Sequence, residues 1–222
     1  MTGIGEQTVR LELGPAALEG ALRIPEGATG MVLFAHGSGS SRHSPRNRYV
    51  AQALEEGGLA TLLIDLLTAA EEREDNRTGR LRFDIHLLAG RVAGATDWLR
   101  QNAETTHMRI GYFGASTGAA AALAAAAERP GEIGAVVSRG GRPDLALPVL
   151  GRVKAPTLLI VGSRDLPVIE MNREAFQHLQ VEKRLEIVPG ATHLFEEPGT
   201  LEQVARLARE WFTEHLKLQA AR

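Results

Sequence analysis

The stretch IGYFGASTGAAAALAAAAE, residues 110–128, decides the fold of this chain. Its first four residues are typical of a buried strand, and the alanine-rich run 117–128 predicts a helix. Between them, residues 114–118 fit the pattern G-x-S-x-G, in which a serine occupies a sharp strand-to-helix turn with its hydroxyl exposed. Glycines two positions on either side leave room for that turn. We interpret Ser116 as a nucleophile; the alternative is a glycine-rich turn that contains a serine by chance.

Strand-like and helical runs alternate outward from this turn. An opening β-hairpin is predicted from residues 9–13 and 18–23 around Gly14-Pro15. Further strands are predicted at residues 31–35, 60–66, 110–113, 135–138, 157–161 and 185–188, and helices at 47–56, 83–102, 117–128, 170–179 and 201–216. Continuous apolar strands separated by helices predict an α/β fold with a mostly parallel sheet covered on both faces.

Composition places the chain among globular proteins with one core. Its 222 residues suit a single domain, residues 1–222, and 44% of them are hydrophobic. A net charge of −2 gives no general attraction to nucleic acid or anionic membranes. With no cysteine and no signal-like start, we expect a cytoplasmic protein without disulfides or a thiolate metal site. The charged segment 71–80 is predicted to be a mobile surface loop.

A serine nucleophile needs a base and an acid that orients the base, and two later loops offer them. Asp165 follows the apolar run 157–161, and His193 follows a Pro-Gly turn after the run 185–188. The order serine, acid, histidine is the order of the α/β hydrolases. Asp65 and Asp144 are alternative acids that break this order, and Asp165 has the alternative role of capping the next helix.

The segment HGSGSS, residues 36–41, follows the strand 31–35 and is the candidate oxyanion loop. We predict that the backbone N–H groups of Ser38 and Thr117 stabilise a developing oxyanion. A phosphate-binding loop is the rival interpretation. It is disfavoured because Arg42 stands where the third glycine of G-x-G-x-x-G belongs and no Lys-Ser/Thr follows.

The segments HGSGSS, GYFGASTGAAAA, LLIVGSRD and PGATHLFEEPG together resemble the small dienelactone-hydrolase-like branch of the α/β hydrolases. This resemblance implies an α/β-hydrolase fold with an eight-stranded sheet, and esterase or lactonase chemistry without a cofactor or metal. It also assigns Ser116, Asp165 and His193 to a triad. Dienelactone hydrolases typically use cysteine as nucleophile, so serine here favours general ester hydrolysis. Only residues 139–156 separate two strands where relatives insert a cap, which predicts no cap domain and small substrates.

Arginines follow the strand ends that border the predicted site. Arg42, Arg46, Arg48, Arg139 and Arg142 are candidates for a cationic rim, with the alternative that each is an ordinary surface arginine. Arg139 lies directly beyond a strand, and we expect it, with Arg42, to bind a substrate carboxylate.

Three functional hypotheses follow from these residues. The first is a hydrolase of small esters or lactones, neutral or anionic. The others are a ligand-binding protein that has lost turnover and an acyltransferase or peptidase with the same triad. The sequence leaves the oligomeric state open.

Overall fold

A computed structural model describes residues 5–217 and contains eight strands and six α-helices in that range. The strands are β1 Gln7–Leu13, β2 Ala16–Arg23, β3 Gly30–Ala35, β4 Ala60–Ile64, β5 Arg109–Ala115, β6 Ile133–Arg139, β7 Thr157–Gly162 and β8 Lys183–Val188. The helices are α1 Pro45–Glu56, α2 Ala69–Thr78, α3 Ile85–Gln101, α4 Thr117–Glu128, α5 Leu166–His178 and α6 Thr200–His215. Two 3₁₀ segments, Leu81–Phe83 and Pro143–Arg152, complete the described elements.

All eight strands form one sheet in the order β1-β2-β4-β3-β5-β6-β7-β8. The first two form the antiparallel hairpin, β2 pairs antiparallel with β4, and every later pairing is parallel. The predicted eight-stranded, mostly parallel sheet is therefore confirmed. The carboxyl ends of β3 to β8 meet at one edge, where sheets of this kind bind ligands.

Helices cover both faces of the sheet. One buried cluster joins α3 and α4 to side chains such as Tyr112, and the other joins α1 and α6 to side chains such as Phe113. Adjacent residues of β5 thus point to opposite faces, as the pleat of a strand requires. No helix within residues 5–217 is long and apolar enough to cross a bilayer.

The expectation of a mobile loop at residues 71–80 is wrong, because most of this segment belongs to α2. Thr68 and Glu71 form a reciprocal capping box at its start, and Gly79 ends it in the left-handed conformation. The buried Asp75 accepts hydrogen bonds from the backbone of Leu81 and from Arg82. These contacts stabilise a helix whose composition alone is that of a solvated loop.

The connection between β6 and β7 contains only the 3₁₀ segment Pro143–Arg152. A cap that covered the carboxyl edge of the sheet would need a helical insertion at this position. Residues 140–156 contain no α-helical insertion of this kind.

Candidate active site

Ser116 lies at a sharp turn between β5 and α4 and has the backbone angles φ 51° and ψ −122°. Non-glycine residues rarely adopt a positive φ, so surrounding contacts must stabilise this conformation. A Cβ on Gly114 would lie 2.4 Å from Cα of Ala119, and one on Gly118 would lie 2.3 Å from the carbonyl oxygen of Ala35. Both glycines are thus required by close backbone packing, as the G-x-S-x-G pattern predicts.

His193 and Asp165 meet at the same edge of the sheet. The Nδ1 atom of His193 donates a hydrogen bond to Oδ2 of Asp165 over 2.6 Å. Asp165 occupies the N-cap position of α5 but makes no side-chain capping bond, so its carboxylate serves the histidine and not the helix. A Cβ on Gly162 would lie 2.4 Å from the carbonyl oxygen of Ala191, which shows how closely the two loops approach.

Backbone contacts connect Ser116 to the loop that carries His193. The Ser116 N–H donates to the carbonyl of Arg139 over 3.2 Å, and a Cβ on Gly140 would lie 3.5 Å from Nδ1 of His193. Within residues 5–217 the structure contains no direct hydrogen bond between the Ser116 hydroxyl and His193. With Nδ1 bound to Asp165, Nε2 is the ring atom left to accept a proton.

The candidate oxyanion loop packs directly against the serine turn. A Cβ on Gly37 would lie 3.0 Å from the Cβ of Ser116, and Oγ of Ser38 lies 3.0 Å from Oγ1 of Thr117. The structure therefore brings together the two residues predicted as oxyanion donors. Among the described residues, neither backbone N–H has a loop or turn acceptor, which leaves both available to a ligand.

His36 positions this loop, a role that sequence reasoning missed. Its Nδ1 donates to the carbonyl of Gly37 over 2.9 Å, and its Nε2 accepts the backbone N–H of Leu66 over 3.0 Å. A ring that donates at one nitrogen and accepts at the other is neutral. Burial lowers the pKa of His36, which favours the same neutral form. His36 is the first residue of the segment HGSGSS, and this position was the signal in the sequence that could have indicated its role.

Arg42 does not join a cationic rim, contrary to expectation. Its guanidinium forms ion pairs with Asp65 and Glu19, and its backbone N–H donates to Asp65 over 2.7 Å. A cation that two carboxylates already neutralise has little attraction left for a substrate anion. Three other rim candidates are paired in the same way: Arg46 with Glu196, Arg48 with Glu6 and Arg142 with Asp144.

Arg139 differs from these arginines because it is buried and lacks a carboxylate partner among the described residues. Arg139 is the last residue of β6 and is 7% exposed. Its Nε and Nη1 atoms are buried and have no hydrogen-bond acceptor among the described residues. Burial, with a smaller contribution from the charge of Arg46, lowers the pKa of Arg139 to about 10. The group remains protonated at neutral pH and is a buried cation without compensation.

No group of three or more His, Asp or Glu side chains within residues 5–217 is arranged to hold a metal ion. The polar groups of this edge are instead a hydroxyl, an imidazole paired with a carboxylate, and two unused backbone donors. That set supports acyl transfer by a nucleophile and a base.

The sheet order, the serine turn after β5 and the ordered acid and histidine loops define an α/β hydrolase. The chain belongs to the dienelactone hydrolase family, whose sequence profile matches residues 18–218. The predicted resemblance is thereby confirmed.

Solved structures give the same fold. A dienelactone hydrolase from Anabaena variabilis is 65% identical, with a TM-score of 0.94 over 96% of this chain and 98% of that one. The Pyrococcus furiosus esterase Pf2001 is 19% identical, with a TM-score of 0.71 over 95% of this chain and 91% of that one. At that identity the second likeness concerns the fold alone.

A longer relative carries a different name. A protein of Mycobacterium tuberculosis H37Rv named "Putative phosphoribosyl transferase" is 57% identical over 211 residues. The match covers 95% of this chain but 47% of the relative, so the chain spans about half the length of that protein. The transferase name therefore describes a protein with a large additional part.

Proposed function

We propose that this protein is a serine hydrolase that cleaves small carboxylic esters or lactones through an acyl-enzyme. The observation that carries the proposal is the 2.6 Å hydrogen bond between His193 and Asp165, at the edge of the sheet where Ser116 occupies a strained turn. Membership of the dienelactone hydrolase family supports hydrolase chemistry in general. The triad adds the mechanism.

In the first half-reaction, Nε2 of His193 takes the proton of the Ser116 hydroxyl while Oγ attacks the carbonyl carbon. The carbonyl π bond opens, and its oxygen becomes an oxyanion near the backbone N–H groups of Ser38 and Thr117. When the tetrahedral intermediate collapses, the bond to the leaving alcohol breaks. His193 gives its proton to that alcohol, and the acyl group remains on Ser116.

In the second half-reaction, His193 takes a proton from water, and the resulting hydroxide attacks the acyl carbon. Collapse of this second intermediate releases the carboxylic acid and returns the proton to Ser116. Asp165 stays ionised throughout, because it orients the imidazole and stabilises its protonated form. In a lactone the alcohol and the acid are parts of one product.

The substrate we propose carries an anionic group on its alcohol side. Arg139 precedes Gly140, on which a Cβ would lie 3.5 Å from Nδ1 of His193, and the leaving oxygen must be near His193 to be protonated. An uncompensated buried guanidinium costs several kcal/mol, about the amount that a bound carboxylate would offset. A carboxylate can accept two parallel hydrogen bonds from such a guanidinium.

The name of the longer mycobacterial relative does not alter this proposal. Phosphoribosyl transfer requires a site for a phosphorylated sugar, whereas the features gathered here are a nucleophile, a base and two oxyanion donors.

A fluorophosphonate probe tests the proposal. The parent protein should be labelled once, on Ser116, and should hydrolyse p-nitrophenyl acetate; Ser116→Ala should lose both activities and keep its circular dichroism spectrum. Ser163→Ala is the matched control, because within residues 5–217 the one hydrogen bond of the Ser163 hydroxyl is that accepted from the backbone N–H of Gly190. A folded parent that is not labelled would instead be a binding protein. Labelling without hydrolysis, but with transfer to an added alcohol, would indicate an acyltransferase.

A further inference from the structure

A small cavity lies beside the oxyanion loop, on the side away from His193. It measures about 40 Å³, and its lining includes Ser38, Thr117, Asn76 of α2 and Leu88 of α3. It therefore adjoins the place where the carbonyl oxygen of a substrate would lie. Helix α2 forms its outer wall, because Glu72, Asp75 and Asn76 all line the cavity.

The position of the cavity identifies the part of the substrate that fits it. A tetrahedral intermediate carries four groups: the serine oxygen, the oxyanion, the leaving oxygen and the acyl chain. The leaving oxygen must lie near His193, and no described lining residue comes from the loops that carry Asp165 and His193. The oxyanion lies at the backbone N–H groups of Ser38 and Thr117, two residues that line the cavity. The acyl chain is the group that remains.

The size of the cavity limits that chain. A water-sized group needs about 10–15 Å³ of such volume, so the cavity admits roughly three heavy atoms beyond the carbonyl. Leu66 and Leu88 are buried and offer apolar contact. Longer chains would extend against α2, which the Thr68–Glu71 capping box, the Asp75–Arg82 ion pair and the Arg91–Glu71 ion pair of 2.6 Å hold in place.

The charges around the cavity select against an anionic acyl chain. Three carboxylates line it, of which Asp65 is neutralised by Arg42 and Asp75 by Arg82. The third, Glu72, has no ion pair within residues 5–217. An acyl chain with a terminal carboxylate would meet this unpaired charge at close range.

We propose that this cavity is the acyl subsite and that α2 sets acyl-chain length, admitting short, uncharged acyl groups up to about butyryl. The proposal rests on the serine hydrolase function above, which it makes specific. The two ends of the substrate are then distinguished: a short neutral acyl group under α2, and the alcohol portion on the side of His193.

A series of p-nitrophenyl esters with acetyl, butyryl, hexanoyl and octanoyl groups tests the subsite, because only the acyl chain varies. The parent should favour acetyl and butyryl. Asn76 is on the exposed surface of α2 and lines the cavity, so Asn76→Trp can fill the space without disturbing the core. We expect it to lower kcat/KM for butyryl at least about tenfold while the acetyl ester changes less than about threefold. Arg73→Trp, exposed on the same helix outside the cavity, is the matched control.

An enlarged cavity should give the opposite result. Leu88→Ala should shift the preference toward hexanoyl, by about tenfold relative to acetyl. If Asn76→Trp and Leu88→Ala change all four esters equally, or change only a series of acetyl esters with different alcohols, the acyl subsite is elsewhere. Fluorophosphonate labelling of each variant separates the two proposals. A labelled parent with unaltered selectivity in both variants overturns the subsite alone, whereas an unlabelled parent overturns the hydrolase itself.

Discussion

His193 donates its Nδ1 proton to Asp165 over 2.6 Å, a contact that joins the loop after β7 to the loop after β8. The Asp165 side chain is 13% exposed and the His193 side chain 39% exposed. The acid is thus shielded from water while the base remains accessible. This is the arrangement required for an imidazole that must exchange protons with a substrate in a fixed orientation.

Asp165→Asn should therefore abolish most of the activity without unfolding the protein. The amide can hydrogen-bond to the wrong tautomer and cannot stabilise an imidazolium, so we expect kcat to fall by about 10³–10⁴. Steady-state hydrolysis of p-nitrophenyl acetate measures the loss, and thermal unfolding checks the fold. Asp144→Asn is the control, since the Asp144 carboxylate is paired with Arg142. A kcat within tenfold of the parent's would assign the acid to another carboxylate.

The hydroxyl pair Ser38 and Thr117 should align the two oxyanion donors. Either Ser38→Ala or Thr117→Val breaks the same 3.0 Å contact but leaves both backbone N–H groups in place. Removal of a whole donor typically lowers kcat by about 10²–10³-fold. Because both donors remain here, we expect kcat to fall only about tenfold, with little change in KM. Because both variants remove one interaction, the double variant should lose no more than either single variant. Additive losses would mean that the hydroxyls act separately.

His36 should make stability depend on pH. Burial lowers the folded-state pKa of His36, so between that pKa and about 6.5 the unfolded chain binds more protons than the folded one. Stability is then complete above about pH 6.5 and is lost as the pH falls through that window, since a protonated ring cannot accept the Leu66 N–H. The hydrogen bond from His36 to the Gly37 carbonyl and, to a smaller extent, the charges of Asp65 and Glu72 raise the pKa of His36 and so limit the shift.

Urea unfolding at about pH 7.5 and about pH 5 checks this dependence on the charge of His36. The parent should lose more unfolding free energy between the two conditions than His36→Gln, which has no titrating ring. His43→Gln is the control for a histidine in the same segment, because His43 is exposed. If the parent and His36→Gln lose the same unfolding free energy between the two pH values, His36 is not the source of the pH dependence.

The sequence predicts an element well where a short local pattern is enough to determine the structure. Helix α4 was predicted with its observed bounds, Thr117–Glu128, because its alanine run starts directly after the glycines of the serine turn. The contact between Asp165 and His193 was foreseeable because each residue lies in the loop after a strand, and the parallel sheet brings such loops to one edge; their catalytic roles stay a prediction.

One error arose from a local pattern that was overlooked, and the other from contacts between distant residues. Helix α2 was taken for a loop because its charged composition hides the capping box at Thr68 and Glu71, although that pattern was readable in the sequence. The pairing of Arg42 with Asp65 joins residues 23 positions apart through neighbouring strand ends, which no local pattern reveals. The tautomer of His36 likewise depends on Leu66, a residue that only the fold brings near.

Arg139 gives the prediction that most directly concerns the substrate. If it binds a carboxylate on the alcohol portion, the parent should prefer an acetyl ester of a carboxylate-bearing alcohol over a neutral ester of similar size. Arg139→Met should lower kcat/KM for the charged ester by about ten- to a hundredfold, the value of one charge-assisted hydrogen-bonded contact, and leave the neutral ester nearly unchanged. Arg142→Ala, which removes a guanidinium already paired with Asp144, should change neither.

Stability distinguishes this ligand-binding role from a structural one. Arg139 is buried, and its Nε and Nη1 atoms have no acceptor among the described residues, so the folded protein bears the cost of desolvating its charge. Arg139→Met keeps most of the volume and removes the charge, so unfolding free energy should stay constant or rise, by up to about 4 kcal/mol. A structural arginine would give the reverse, a clear loss of stability together with equal losses on both esters. That result, or a parent without preference for the charged ester, would remove the anionic group from the proposed substrate.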